Sequence, residues 1–90
     1  MPYIKQQDRE QFAGCLDELI ATLTIEGTQD FKDGELNYCI SKVINKLFEN
    51  NPSYATINKI VGVLECVKQE FYAVKAIPYE KTKMDINGAV

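Results

Sequence analysis

The chain lacks histidine and tryptophan, and its 90 residues include only three prolines and three cysteines. Without an imidazole, histidine-based acid–base catalysis, histidine-activated nucleophiles and most zinc sites are excluded. Three thiols are also one short of an all-cysteine zinc site. The sequence has no glycine-rich phosphate loop, nucleophile elbow or calcium-binding loop. It therefore predicts a protein that is not an enzyme and that has no metal or cofactor.

The three cysteines, Cys15, Cys39 and Cys66, are an odd number at wide spacing. This pattern argues against a disulfide framework and favours a reducing compartment. Each cysteine falls inside a predicted helix, where free cysteine usually packs as a small hydrophobic residue. We expect buried thiols, with a reactive thiol as the alternative.

The chain has little positive charge, with 10 lysine and arginine residues against 13 acidic residues and a formal net charge of -3. Because no basic cluster stands out, a nucleic-acid partner is disfavoured. No apolar run approaches the roughly 20 residues that a membrane-spanning helix needs. The first residues also lack the basic and apolar regions of a secretory signal. The sequence predicts a cytoplasmic protein with no membrane partner.

What the sequence does contain is apolar residues at helical spacing, in segments at about 8–25, 34–49 and 53–77. The first two segments repeat the same steps of four, three, one and three residues. Their apolar residues are Phe12, Leu16, Leu19, Ile20 and Leu23, and then Leu36, Ile40, Val43, Ile44 and Leu47. Each set lies along one stripe of a helix with 3.6 residues per turn, which predicts an amphipathic helix.

The third segment keeps helical spacing from Tyr54 to Ile77. Ser53 is expected to cap its start, because a serine hydroxyl accepts from the free amides of the first turn. Pro78 is expected to end it, because the residue before a proline avoids helical geometry. Residues 79–90 have no helical periodicity and are predicted to form a tail.

These segments predict an all-α fold, a single three-helix domain over residues 1–90 in which two helices pack on a longer third one. A third helix of about 24 residues spans roughly 36 Å, against roughly 25 Å for each of the others. The overhang would expose an apolar end made of Phe71, Tyr72, Val74 and Ile77. Monomers rarely expose such patches, so a homo-oligomer is expected.

A set of polar and aromatic residues forms the candidate site. Its members are expected to contact a ligand or an interface, and they are Asn37, Tyr38, Asn58, Gly62, Glu65 and Tyr72. Gly62 lies inside a predicted helix, where glycine costs about 1 kcal/mol relative to alanine, a cost that close packing or ligand approach usually explains. Helix packing, a small-molecule or partner site, and plain exposure all remain open.

Several motifs in this order resemble a family of small uncharacterised proteins encoded by bacteria and their phages. The motifs are "MPYIK" at 1–5 followed by Asp8-Arg9, "GELNY" at 34–38, "SYATIN" at 53–58, "GVLECVKQEFY" at 62–72, "PYEK" at 78–81 and the late "NG". The resemblance covers nearly the whole chain. It implies a phage or prophage setting in a bacterial host cell, and it implies no activity.

The leading function hypothesis is a non-enzymatic binding protein of phage or prophage type that interferes with host defence. It would do so by sequestering a nucleotide signal or by masking a host protein. The alternative is a structural or accessory oligomer without a ligand. A helix-turn-helix protein with its turn at 49–53 is a weaker reading, because the helix that would enter the groove begins "YATINK" with one cation.

Overall fold

A computed structural model describes residues 4–88, and these residues form three helices, the third of them 34 residues long. Helix α1 runs over Gln6–Leu23 and α2 over Asp33–Asn50. The third helix has three parts: α3 at Tyr54–Phe71, a π-helical segment at Tyr72–Ala76, and α4 at Ile77–Asn87. We refer to the three parts together as the long helix. The all-α class and the long third helix are confirmed.

The chain divides into two units, Met1–Asn50 and Asn51–Val90. The first unit contains α1 and α2, and the second contains the long helix. The packing of two helices on the third one stays a prediction, as does the single domain. Met1–Tyr3 of the "MPYIK" motif and the last two residues lie outside the described range.

In the first unit a short closed loop joins α1 to α2. The backbone N–H of Ile25 donates to the carbonyl of Asp30 at 2.9 Å, and Thr24 pairs with Phe31 in one antiparallel bridge. Gly27 has φ +79°, in the left-handed region that only glycine enters without strain. The end of α1 and the start of α2 are therefore held side by side.

The end of α1 and the start of α2 differ by one or two residues from the predicted bounds. The predicted cap of α3 is confirmed. Ser53 precedes α3 in extended conformation, and its Oγ accepts from the N–H of Thr56 at 3.1 Å. The start of α1 has no such cap, because Lys5 occupies its N-cap position and makes no side-chain cap hydrogen bond.

The long helix does not end at Ile77, so the prediction of a tail is wrong for residues 79–87, which are helical. Pro78 lies in the first turn of α4, where a missing N–H costs least. The π-helical segment precedes it, and there the N–H of Ile77 donates to the carbonyl of Tyr72, five residues back. This wider turn changes the position of the carbonyl that a proline ring would otherwise meet.

The apolar faces of the helices are exposed or half-buried, and no residue among 4–88 is fully buried. We name three sets. The α1 stripe is Phe12, Leu16, Leu19, Ile20 and Leu23, and the α2 stripe is Leu36, Ile40, Val43, Ile44 and Leu47. The α3 stripe is Ile57, Ile60, Val61, Leu64, Val67 and Phe71.

The cysteines follow the same pattern, since Cys15 is exposed and Cys39 and Cys66 are half-buried, all three as free thiols. The expectation of buried thiols is therefore wrong for the residues that the structure describes. Within residues 4–88, none of the helices is both long and apolar enough to cross a membrane.

Candidate functional site

The six candidate residues are divided between the two units. Asn37 and Tyr38 lie on α2 in the first unit. In the second unit, Asn58, Gly62 and Glu65 lie on α3, and Tyr72 begins the π-helical segment. Each unit has its own concave surface, and we describe the two separately.

The first turns of α2 form a concave surface of about 450 Å³, which we call the α2 surface. It is lined by Asp33, Gly34, Asn37, Tyr38 and Ser41. Asn37 Oδ1 accepts from Ser41 Oγ at 3.1 Å, so one amide oxygen is already engaged within the helix. The amide nitrogen of Asn37 can still donate, and the Tyr38 residue is 64% exposed.

A second hollow of about 320 Å³ adjoins the α2 surface, with which it shares Gly34 and Tyr38. Its other walls are Leu19, Thr22 and Leu23 from α1 and Glu35 and Cys39 from α2. Tyr38 therefore stands between a hollow with amide, hydroxyl and carboxylate groups in its lining and one with aliphatic walls. A tyrosine ring suits such a boundary, because its face packs while its hydroxyl stays hydrated.

The acidic character of α2 is concentrated at its start. Asp33 and Glu35 occupy its first turn, where their charges interact favourably with the helix dipole. The same carboxylates line the two hollows and repel an anion placed there. Lys42, four residues after Tyr38, lies one turn further along the same side of the helix.

In the second unit a concave surface of about 380 Å³ lies at the end of α3, and we call it the long-helix surface. It is lined by Glu65, Lys68, Gln69, Tyr72, Ala73 and Ile77. Its polar groups pair with one another. Glu65 Oε1 accepts from Gln69 Nε2 at 3.2 Å and lies 3.9 Å from Lys68 Nζ, and the Tyr72 hydroxyl donates to Glu80 Oε1 at 3.3 Å.

Asn58 and Gly62 lie earlier on the same side of α3. Both are exposed, and a Cβ built on Gly62 meets no described atom within 4 Å. The close approach predicted for Gly62 therefore has no partner among the described residues of the chain.

Sequence reasoning missed several members of these surfaces. Gln69 follows Glu65 at a step of four, so the stripe itself could have revealed it. Glu80 is eight residues from Tyr72, a separation of two helical turns only if the helix continues through Pro78. That contact could not be predicted from a helix ending at Ile77.

Residues 4–88 contain no group of three or more histidine, cysteine, aspartate or glutamate side chains placed to hold a metal ion. The two surfaces are lined by aromatic, amide, hydroxyl and charged groups.

Residues 1–90 match the family described as Domain of unknown function (DUF6899). The chain belongs to this family. No curated protein and no solved structure matches it. Because the description of the DUF6899 family names no activity, the function has to be argued from the surfaces.

Proposed function

We propose that this protein is a non-enzymatic binding protein of phage or prophage type that counters host defence by sequestering a nucleotide signal in the bacterial cytoplasm. The observation that carries the proposal is Tyr38, which is 64% exposed at the boundary of two hollows. Any nucleobase can stack on such a ring, because every base has an aromatic face.

The size of the α2 surface and the polar side chains in its lining support a nucleotide-type ligand. Its volume of about 450 Å³ falls within the range of about 300–1,000 Å³ that is usual for small-molecule sites. Asn37 and Ser41 beside Tyr38 offer amide and hydroxyl groups for the edge of a base. Stacking plus a few polar contacts is the usual form of recognition for an unpaired base.

The charges along α2 orient this ligand. Asp33 and Glu35 disfavour a phosphate group at the start of the helix. Lys42, one turn beyond Tyr38, is the cation that we assign to the phosphate. The base therefore lies over Tyr38, with its phosphate directed towards the later turns of α2.

Masking of a host protein is a second candidate, favoured by the apolar walls of the adjoining hollow. Leu19 and Leu23 together with Tyr38 form a small aliphatic and aromatic surface, and tyrosine is enriched among the residues that dominate protein interfaces. The third candidate, an accessory oligomer without a ligand, is favoured by the long-helix surface, whose polar groups already pair with one another.

The test is a native mass spectrum of protein purified gently from bacterial cells, followed by denaturation of the same sample. Titration calorimetry then uses a panel of cyclic and linear dinucleotides as probes. We expect a released nucleotide or a binding heat from the panel. Tyr38→Ala should weaken binding by about tenfold or more, since base stacking contributes about 1–3 kcal/mol.

Tyr79→Ala is the matched control, because Tyr79 has the same exposed fraction of 64% but lines neither hollow. Equal losses for the two variants would overturn the assignment to Tyr38. A bound host protein in place of a nucleotide would establish masking. If neither a bound molecule nor a binding heat is found, the accessory oligomer without a ligand remains as the candidate function.

A further inference from the structure

We infer that the nucleotide bound at the α2 surface carries a guanine base, which the carboxylate of Asp33 and the amide nitrogen of Asn37 recognise. This inference rests on the proposed function, and it names the base that the proposed function leaves open. It uses only side chains of one helix, α2, and the hydrogen bond that joins two of them.

A polar row of side chains runs along the start of α2. Its members are Asp33, Asn37 and Ser41, which follow one another at steps of four and so lie one turn apart on one side of the helix. All three line the α2 surface. A ligand that lies along this row therefore meets a carboxylate first and an amide one turn later.

Beside the polar row lie Gly34 and Tyr38, which are also four residues apart and also line the α2 surface. Side chains on a helix lean towards its N-terminus, so the tyrosine points over the turn that contains Gly34. Glycine has no side chain to cover the ring, and among residues 4–88 a Cβ built there meets nothing within 4 Å beyond its own helix neighbours. A base stacked on Tyr38 therefore has room above Gly34, with its edge beside Asp33 and Asn37.

The hydrogen bonds of the polar row decide which of its groups remain for a ligand. Asn37 Oδ1 accepts from Ser41 Oγ at 3.1 Å, which leaves the amide nitrogen to donate to the ligand. The Asp33 carboxylate has no hydrogen bond or ion pair with another residue in the range 4–88, and an ionised carboxylate only accepts. The row thus offers two acceptor oxygens followed by a donor.

Guanine is the base whose edge complements this order. Its ring N1–H and its N2 amino group are two adjacent donors, which the two oxygens of a carboxylate accept in parallel, and its neighbouring O6 accepts from an amide. Adenine and cytosine place one amino group beside an unprotonated ring nitrogen, and uracil places its ring N–H between two carbonyl oxygens. In each of these bases an acceptor would face the carboxylate, and such a mismatch lowers affinity.

The experiment measures base preference by titration calorimetry on the full chain. The probes are three linear dinucleotides with the same phosphates and with two guanines, two adenines or two hypoxanthines. We expect the guanine probe to bind about tenfold or more tightly than the adenine probe, as is usual for a matched bidentate contact. The hypoxanthine probe, which lacks only the N2 amino group of guanine, should have an affinity between the two.

Asp33→Asn tests the residue that recognises the base. An amide in place of the carboxylate meets one donor of guanine with a donor of its own and can pair with adenine, so the preference for guanine over adenine should fall about tenfold. Glu35→Gln is the matched control, because it removes the same charge from the same turn but lines the adjoining hollow instead of the α2 surface. It should leave the preference unchanged.

Failure of the guanine inference is distinguishable from failure of the proposed function. Equal binding of all three probes, weakened by Tyr38→Ala, would overturn the choice of guanine and support the nucleotide site. An equal loss of preference in Asp33→Asn and Glu35→Gln would overturn the contact with Asp33, because charge alone would then select the base. If no dinucleotide binds, both the guanine inference and the proposed function are overturned.

Discussion

At the residue scale, the effect of Gly62 on stability depends on what contacts the side of α3 that faces away from the α3 stripe. Leu64 of the α3 stripe is two residues away, about 200° around the helix. Among residues 4–88, no atom lies within 4 Å of a Cβ placed on Gly62. The loss of helix stability caused by this glycine is therefore explained only if a ligand or another surface comes close on that side.

We predict that Gly62→Ala raises the free energy of unfolding by about 0.5–1 kcal/mol, because alanine gains helix propensity and meets no described atom within 4 Å. Gly14→Ala is the control, since Gly14 is also inside a helix with open space around it. Urea unfolding at one fixed protein concentration measures both. If Gly62→Ala destabilises while Gly14→Ala stabilises, another surface lies against Gly62.

At the element scale, the first two helices could be predicted to within two residues from the sequence. Their apolar steps locate the α1 and α2 stripes, and Gly27 marks the turn between them. The long helix could not be predicted in full, because the proline rule describes a proline inside a regular α-helix. Pro78 instead follows a π-helical segment, and nothing in the amino-acid sequence of residues 72–76 distinguishes that segment from an ordinary α-helix.

The candidate site, like the long helix, could be predicted from the sequence only in part. Asn37 and Tyr38 were found because polar residues on an otherwise regular helix are conspicuous, and they do line one surface. The loop contacts that bring Leu19 and Leu23 next to Tyr38 depend on the bond from Ile25 to Asp30, which no spacing rule describes.

The continuation of the long helix gives a prediction for Thr82. Thr82→Pro should break α4, because its ring would meet the carbonyl four residues back, that of Pro78, at a cost of about 3 kcal/mol. Pro78→Ala should preserve α4. Cα chemical shifts of residues 79–87 distinguish the outcomes, and unchanged helical shifts in Thr82→Pro would contradict the helix described here.

At the scale of the whole molecule, the expected homo-oligomer would link stability to protein concentration. Folding that is completed by association gains free energy as the protein concentration rises. We predict that the melting temperature, followed by circular dichroism, increases over a hundredfold range of protein concentration. Dilution should also lower the helix content at 25 °C. A melting temperature independent of concentration would indicate that one chain covers its own stripes.

The π-helical segment also bears on how the length of this chain can vary. Its bond from Ile77 to Tyr72 encloses one residue more than an α-helical bond does. Removing a single residue such as Ala73 would therefore shorten the turn to an α-helical one and leave the long helix unbroken. Because the wider turn already holds the extra residue, α3 and α4 would keep nearly the same relative rotation after the deletion. A deletion of one residue is thus tolerated at 72–76 more readily than inside α3, where it would divide the α3 stripe.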